Sequence, residues 1–357
     1  MQPALSLMNI RRGTRIENAM KLFTALRESL ERIVFGGDVL PLRFFIAQPQ
    51  PQEEIEVWLH GFGPPRNVTR RHGPASTIPF TFWIAFDAHE IPVDRQSARM
   101  SLRFYSTGNR RRLLGKLGLR RTHTIRAGKS AILVFEPSSA ANYCRPRLRL
   151  FLHFWLQMWK QRHSKIRLSR LEHRAMSALF ICPRPISIVS VAEPGRASMF
   201  PLNVMSDVDE EYFAFALTAS KIPAQFLSSA RRFALSVTPM DRAPVAFALA
   251  ANHNVPSISF ADLPFPTRPS PKLGLPVPVF SPRVREMEIE SIHMVGTHAL
   301  FVARTLSDER MANGPELAVV HGLYQAWRIH QGLDSATSIA RDAAIRAGTM
   351  SGSLAPL

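Results

Sequence analysis

The residues best suited to chemistry stand close together at Thr218, Ser220 and Lys221. Two hydroxyls and an ammonium at the opening of a short helical pattern, Ile222 to Ala230, offer charge-assisted hydrogen bonds beside the positive end of a helix, which suits a phosphate. Ser220 can equally be a plain helix cap next to a solvated Lys221. The residue types alone leave both readings open. Arg231 and Arg232 follow directly and either add charge to this corner or cover a sheet rim. A second stretch, Asn203-Val204-Met205-Ser206, mixes an amide, a hydroxyl and apolar side chains in a loop between two extended segments.

Other chemistries find less support. The twelve histidines are scattered, with no HxxxH or HxH pairing and no carboxylates clustered beside them, which argues against a protein-bound metal. No nucleophile, base and orienting acid form a convincing triad. Gly61-Phe62-Gly63-Pro64-Pro65 has two glycines of a phosphate loop but not the third, and Pro64-Pro65 enforce extended chain where a helix would be needed. It reads as a rigid turn. The basic run Asn109-Arg110-Arg111-Arg112, continued by Lys116, Arg120 and Arg121, could grip phosphates. It has few interleaved aromatics for stacking on bases, so a solvated face is favoured and nucleic acid is not the expected partner.

The Thr218 corner must be held by the elements around it. Ile186 to Val191 reads as a buried strand that breaks at the turn Glu193-Pro194-Gly195, and Ala197 to Val204 is a second extended piece. The acidic cluster Asp207 to Glu211 interrupts the pattern before a third strand, Tyr212 to Leu217. The corner and helix follow, then the strand Phe233 to Val237. Met287 to Ile292 and Ala299 to Thr305 are two more strands, joined through His293 to His298.

This order of strands, with Arg184-Pro185 ahead of the first, the Asn203 to Ser206 loop, the Ser-Lys corner, Gly296-Thr297-His298-Ala299-Leu300-Phe301-Val302 and the late His321-Gly322-Leu323-Tyr324, resembles the flavin reductase-like proteins built on the FMN-binding split barrel. The resemblance covers Ala175 to Trp327. It implies FMN, with FAD possible, held at its phosphate by Thr218, Ser220 and Lys221 and lined along its ring by Asn203, Val204, Met205 and Ser206. It implies a flavin or nicotinamide contact at His298, and a His321/Tyr324 pair near the ring or the nicotinamide pocket. NAD(P)H would be the substrate, NADH or NADPH being left open. The cofactor supplies the reactivity when a hydride moves between stacked rings, so no catalytic acid or base is assigned. The resemblance also implies a homodimer and a downstream flavin-using oxygenase. Where many relatives continue with Ser-x-Asp-Pro-Pro, this chain has Ser206-Asp207-Val208-Asp209-Glu210, and those carboxylates are expected to point away from an anion site. A flavin-binding electron carrier or sensor is one alternative. A basic nucleic-acid-binding protein is another.

The rest of the chain sets outer limits. At 357 residues, 46% apolar and 20% charged, it is long enough for two domains with cores of their own. A net charge of +18 favours anionic partners, or simply keeps the protein soluble. Cys144 and Cys182 cannot build a disulfide framework, no run approaches the roughly 18 apolar residues that cross a bilayer, and the start lacks the core of a signal peptide. Cytoplasm is expected. We anticipate a mainly β protein with a few helices: an N-terminal β-rich domain over 1–145, an apolar helix and basic connector over 146–174, a split β-barrel over 175–332, and a helix and tail over 333–357. The leading helix has a capping box at Thr14 and Glu17 and an apolar stripe to Ile33. Leu42 to Ala47, Ile55 to Leu59, Phe80 to Phe86, Met100 to Tyr105 and Ala131 to Phe135 are strands of a sandwich or small barrel. Leu148 to Trp159 is expected as a buried or interface helix, Lys160 to Arg174 as a connector, Leu263 to Arg285 as a proline-rich arm and Ser335 to Gly348 as an Ala-rich helix.

Overall fold

A computed structural model describes residues 43–48, 53–91, 100–108, 110–163, 167–333 and 338–340. The leading helix expected from Thr14 to Ile33 lies outside the described residues. The protein is mainly β, with five α-helices among the described residues. Two seven-stranded antiparallel sheets carry most of it.

The first sheet comes from residues 55–142. Its strands are β2 (Ile55–His60), β3 (Arg66–Asn67), β4 (His72–Thr77), β5 (Phe80–Asp87), β6 (Ser101–Ser106), β7 (Leu113–Ala127) and β8 (Ser130–Asn142), in the order β3-β2-β6-β7-β8-β5-β4. β2 alternates, with Ile55, Val57 and Leu59 buried, whereas β5, FTFWIAFD, is buried on both faces and shows no alternation. The Gly61 to Pro65 stretch is the turn between β2 and β3, with Gly61 and Gly63 at positive φ. In the basic run, Arg111 stacks over the rings of Trp58 and Tyr105 and pairs with Glu56.

The second sheet spans residues 187–310. It is built from β10 (Ser187–Glu193), β11 (Arg196–Leu202), β12 (Met205–Asp207), β13 (Tyr212–Thr218), β14 (Arg232–Val237), β17 (Arg283–Val295) and β18 (His298–Arg310), in the order β11-β10-β14-β17-β18-β13-β12, and curls into a half-barrel. A smaller sheet joins β1 (Arg43–Gln48), β9 (Arg184–Pro185), β19 (Glu316–His321) and β20 (Ser338–Ala340) in the order β20-β1-β19-β9. β20 corrects the expected Ala-rich tail helix where it is described: Ser338–Ala340 pairs with Phe44–Ile46 as a strand, because the edge of β1 offers backbone partners there.

Five helices complete the described fold: α1 (Arg147–Lys160), α2 (Arg170–Leu179), α3 (Ile222–Ala230), α4 (Ala243–Leu249) and α5 (Gly322–His330). α2 starts inside the stretch expected as a connector. Its signal is a capping box: the Ser169 hydroxyl accepts from the Glu172 amide at 3.2 Å while the Glu172 carboxylate accepts from the Ser169 amide at 2.7 Å. α1 is the helix expected from Leu148 to Trp159 as buried or at an interface. It buries Phe154 and Leu156 but leaves Leu148, Phe151, Trp155 and Trp159 exposed among the described residues. Arg170 and Arg174 extend guanidinium groups over Phe151 and Phe154.

Each curled sheet has its own filling. α2 supplies Ala175, Ala178 and Leu179 to the first core. α3 supplies Ala224, Phe226 and Leu227 to the second. A third cluster, with Trp83, Ile132 and Val134 facing Ala214, Leu300 and Val302, glues the sheets together. The proline-rich arm contains the short pair β15 (Thr267–Pro269) and β16 (Pro276–Pro278). It is pinned by Glu286, whose buried carboxylate accepts from Ser270 Oγ, the Lys272 and Leu273 amides and Ser307 Oγ. Burial alone would raise the Glu286 pKa, but these hydrogen bonds bring it below the ordinary carboxylate value.

Candidate functional site

A cleft of about 340 Å³ opens at one end of the second sheet. β13 runs into it with Ala216, Leu217 and Thr218, and the β11–β12 connection forms a wall with Asn203 and Val204. After Thr218 the chain turns sharply, the Lys221 amide donating to the Thr218 carbonyl at 3.0 Å, and α3 begins. Lys221 is the N-cap, extended at φ −89° and ψ 149°, with no side chain capping the helix. Pro223 sits in the first turn, where its missing amide hydrogen costs nothing. The Lys221 ammonium stands exposed at this helix end and donates to Asn254 Oδ1 at 2.8 Å.

His298 forms the end of the cleft nearest the first sheet. Its Nε2 lies 3.3 Å from Thr218 Oγ1 and its Nδ1 3.0 Å from Thr297 Oγ1. Two residues of the first sheet also reach it: Thr77 Oγ1 at 3.5 Å from Nε2 and Ser76 Oγ at 3.4 Å from Nδ1. Burial holds the His298 pKa below the ordinary histidine value. The opposite side carries Phe247 and Ala246 of α4, His253 and, from far upstream, Phe45 of β1. His253 Nε2 is 3.1 Å from the Pro201 carbonyl. Its pKa is lowered chiefly by burial, with the Lys221 charge adding to the effect and the Pro201 carbonyl opposing it.

Five residues singled out from sequence therefore line one cavity: Asn203, Val204, Thr218, Lys221 and His298. The others lie elsewhere. Ser220 is exposed in the turn before Lys221, and the N-cap position falls on Lys221. Met205 and Ser206 belong to β12 and are buried. Met205 enters the second core, while Ser206 Oγ donates to the Arg70 carbonyl of the first sheet at 2.6 Å. His321 caps α5, its Nδ1 accepting from the Leu323 amide at 3.1 Å. Burial, with His153 and His173 adding, pushes its pKa down to about 3. Tyr324 is fully buried and donates to Glu54 Oε2 at 2.8 Å. That carboxylate is also gripped by Arg328. The carboxylates after Ser206 turn away from the cleft, Asp207 pairing with Arg285 at 2.6 Å and Asp209 accepting from the Glu211 and Tyr212 amides. Sequence reasoning missed Phe45, Ser76, Thr77, Phe247 and His253. No local motif marks them, because strand pairing and sheet packing bring them in.

The donor set suits a phosphorylated aromatic ligand. A cation and a hydroxyl stand at the helix end, Leu217, Ala246 and Phe247 make an apolar shelf, and Asn203 offers an amide on the wall. The volume lies within the range of roughly 300–1,000 Å³ usual for small-molecule sites. Among the described residues no three His, Cys, Asp or Glu side chains group as metal ligands, and no helix is long and apolar enough to cross a membrane.

Residues 178–328 match the family model described as a flavin reductase like domain. The cleft's β11–β13 wall, Lys221 and His298 fall inside that stretch, which is thus a flavin reductase-like domain, of oxidoreductase type. No curated protein matches the chain. Among solved structures, the chain is similar to an NADH:FAD oxidoreductase of Streptomyces globisporus, with 16% identity, 42% of this chain and 88% of that one covered, and a TM-score of 0.38. It is similar to the styrene monooxygenase flavin reductase of Pseudomonas putida, with 22% identity, coverage of 40% and 89%, and a TM-score of 0.33. An FMN-binding protein of Thermus thermophilus, solved with bound 1-cyclohex-2-enone, gives 21% identity, coverage of 36% and 71%, and a TM-score of 0.33.

Proposed function

We propose, on the premise that residues 178–328 are a flavin reductase-like domain, that the protein is an NAD(P)H:flavin oxidoreductase holding FMN in the cleft at Thr218. The observation that carries this reading is the meeting of Asn203, Val204, Thr218, Lys221 and His298 on one cavity at the start of α3. Lys221 and Thr218 bind the phosphate, since an ammonium and a hydroxyl at a helix N-terminus make charge-assisted bonds to it. Leu217 and Phe247 support the ring and exclude water from one face. Asn203 orients its polar edge. Neutral His298 offers a hydrogen bond without adding charge beside the ring. The flavin, when bound, supplies hydride acceptance from the nicotinamide.

FAD fits the same scheme if its adenine end lies along the open groove. NADPH or NADH as donor, a flavin-using oxygenase as consumer of reduced flavin, and the cytoplasm as location belong to the same reading. The two free cysteines, Cys144 and Cys182, are buried, in keeping with a reducing compartment. The homodimer that the resemblance implies would set a second wall against this cleft. Within the chain, Ser76 and Thr77 of the first sheet already reach His298 at this cleft.

The test is an absorbance spectrum of the purified protein after addition of FMN, followed by stopped-flow mixing with NADH and with NADPH. A bound flavin spectrum that bleaches with one of them is the expected result. No binding would end the flavin reading, and binding without bleaching by either would make the protein a carrier or sensor.

A further inference from the structure

The two seven-stranded sheets have one topology. Replacing β2 to β6 by β10 to β14, and β7 and β8 by β17 and β18, converts the order of the first sheet into that of the second without exception. The details agree. The long hairpin of each sheet turns at a glycine with φ +54°, Gly128 in one and Gly296 in the other. The hairpins close on the pairs Ala127–Ser130 and Val295–His298. Asp87 pairs with Ser130 at the end of one ladder and Thr218 with His298 at the end of the other. The Ala85 amide donates to the Arg71 carbonyl at 2.8 Å, and the Ala216 amide to the Val204 carbonyl at 2.9 Å. Register therefore makes Arg71 the counterpart of Val204, Asp87 of Thr218 and Ser130 of His298.

Counterparts also meet one another. Between the sheets, Trp83, Ala85, Ile132 and Val134 face Ala214, Ala216, Leu300 and Val302, which are the same positions of the other sheet. Such an arrangement, equivalent patch on equivalent patch, is the mark of two-fold pairing. The hairpin tips cross the boundary alike. A Cβ at Gly128 would stand 2.5 Å from the Tyr212 ring, and one at Gly296 would stand 2.4 Å from the Ile78 carbonyl.

Two-fold pairing generates two clefts. The second is a space of about 870 Å³ lined by Arg70, Arg71, Asp87 and Ser130, the counterparts of Asn203, Val204, Thr218 and His298. Its polarity at the phosphate position is reversed. Asp87 stands where the first cleft has Thr218, while Glu90, which follows Asp87 by three residues as Lys221 follows Thr218, is outside the lining of this space. Arg71 holds Asp87 at 2.8 Å and Arg66 holds Glu90 at 2.6 Å. The Asp87 carboxylate disfavours a phosphate at the Thr218 position, although Arg70, Lys129, Arg283 and Arg285 line the wider space.

We infer that residues 55–142 are a divergent second copy of the flavin reductase-like sheet, paired with it inside one chain. One cleft is kept for a phosphorylated ligand, the other has lost its anion site, and Ser76 and Thr77 of the divergent copy are positioning residues for His298 in the working cleft. The identity of the ligand rests on the flavin reading above, but the pairing does not.

The test combines FMN titration with mass determination on the full chain. One FMN per chain, a mass of one chain at micromolar concentration, and FMN binding weakened about tenfold in Ser76→Ala/Thr77→Val with an unchanged melting temperature are expected. Two FMN per chain, or undiminished affinity in that double variant, overturns the inference. If the wild type binds no FMN, the flavin reading falls and the pairing is decided without it. A mass of one chain supports the pair, and a stable dimer of chains overturns it.

Discussion

Thr218 and His298 sit opposite each other at the last rung where β13 pairs with β18, and Thr218 Oγ1 lies 3.3 Å from His298 Nε2. The rung joins the helix end that would grip a phosphate to the imidazole that closes the cleft. Removing either grip residue should therefore weaken flavin binding. A charge-assisted hydrogen bond contributes about 1.5–3 kcal/mol, so Lys221→Ala should raise the FMN dissociation constant roughly 10- to 100-fold. Thr218→Val should do less, nearer tenfold. Flavin fluorescence quenching measures both, and wild-type affinity in Lys221→Ala would remove the phosphate from this corner.

Glu286 should matter to stability and not to flavin. Its carboxylate accepts hydrogen bonds from Ser270, Lys272 and Leu273 in the middle of the proline-rich arm and from Ser307, and it is fully buried. Glu286→Gln leaves donors facing donors and should cost about 1–3 kcal/mol. Because the folded pKa is depressed, the contribution is present above the ordinary carboxylate value near 4.3 and disappears as pH falls through the lowered one. Melting curves from pH 6 downward check this, with the variant expected to lose the acid-dependent part.

His321 should make the protein acid-sensitive at milder pH. Its folded pKa is about 3 and its unfolded value about 6.5, so the unfolded chain takes up a proton first as pH falls below 6.5. Stability is full above that value and declines beneath it, by about 2 kcal/mol at pH 5. His321→Asn keeps a good N-cap residue while removing the titration. Denaturant unfolding at pH 7 and pH 5 should show a smaller difference in the variant, and an equal difference would place the acid sensitivity elsewhere.

Tyr324 and Glu54 tie α5 to the loop before β2. Tyr324→Phe deletes one buried hydrogen bond and should cost about 0.5–1.5 kcal/mol. FMN affinity should stay at the wild-type value, because Tyr324 lies in the first core and away from the cleft. A changed flavin affinity with unchanged melting would give Tyr324 the ligand role that the resemblance suggested.

What the amino-acid sequence determined by itself was local: the β strands around Thr218, the turn before α3 with Thr218 and Lys221 on either side of it, and the His298 turn. These depend on turn residues, two-residue alternation and short helical periods, all of which act within a few residues. The proline-rich arm was legible for the same reason, since proline removes donors wherever it stands. Faces and partners were not legible. Val204 and Met205 are neighbours in a loop motif, yet one lines the cleft and the other enters the core, because successive residues of an extended chain point to opposite sides. His321 and Tyr324 looked like site residues and are core residues, since β19 and α5 fold against α1 and Glu54. The approach of Thr77 to His298, across a separation of 221 residues, and the likeness of the two sheets were decided by tertiary structure alone. Strand order is written in hydrogen bonds between distant backbones, which many different side chains satisfy equally well, so one topology can appear twice in a chain without repeating its sequence.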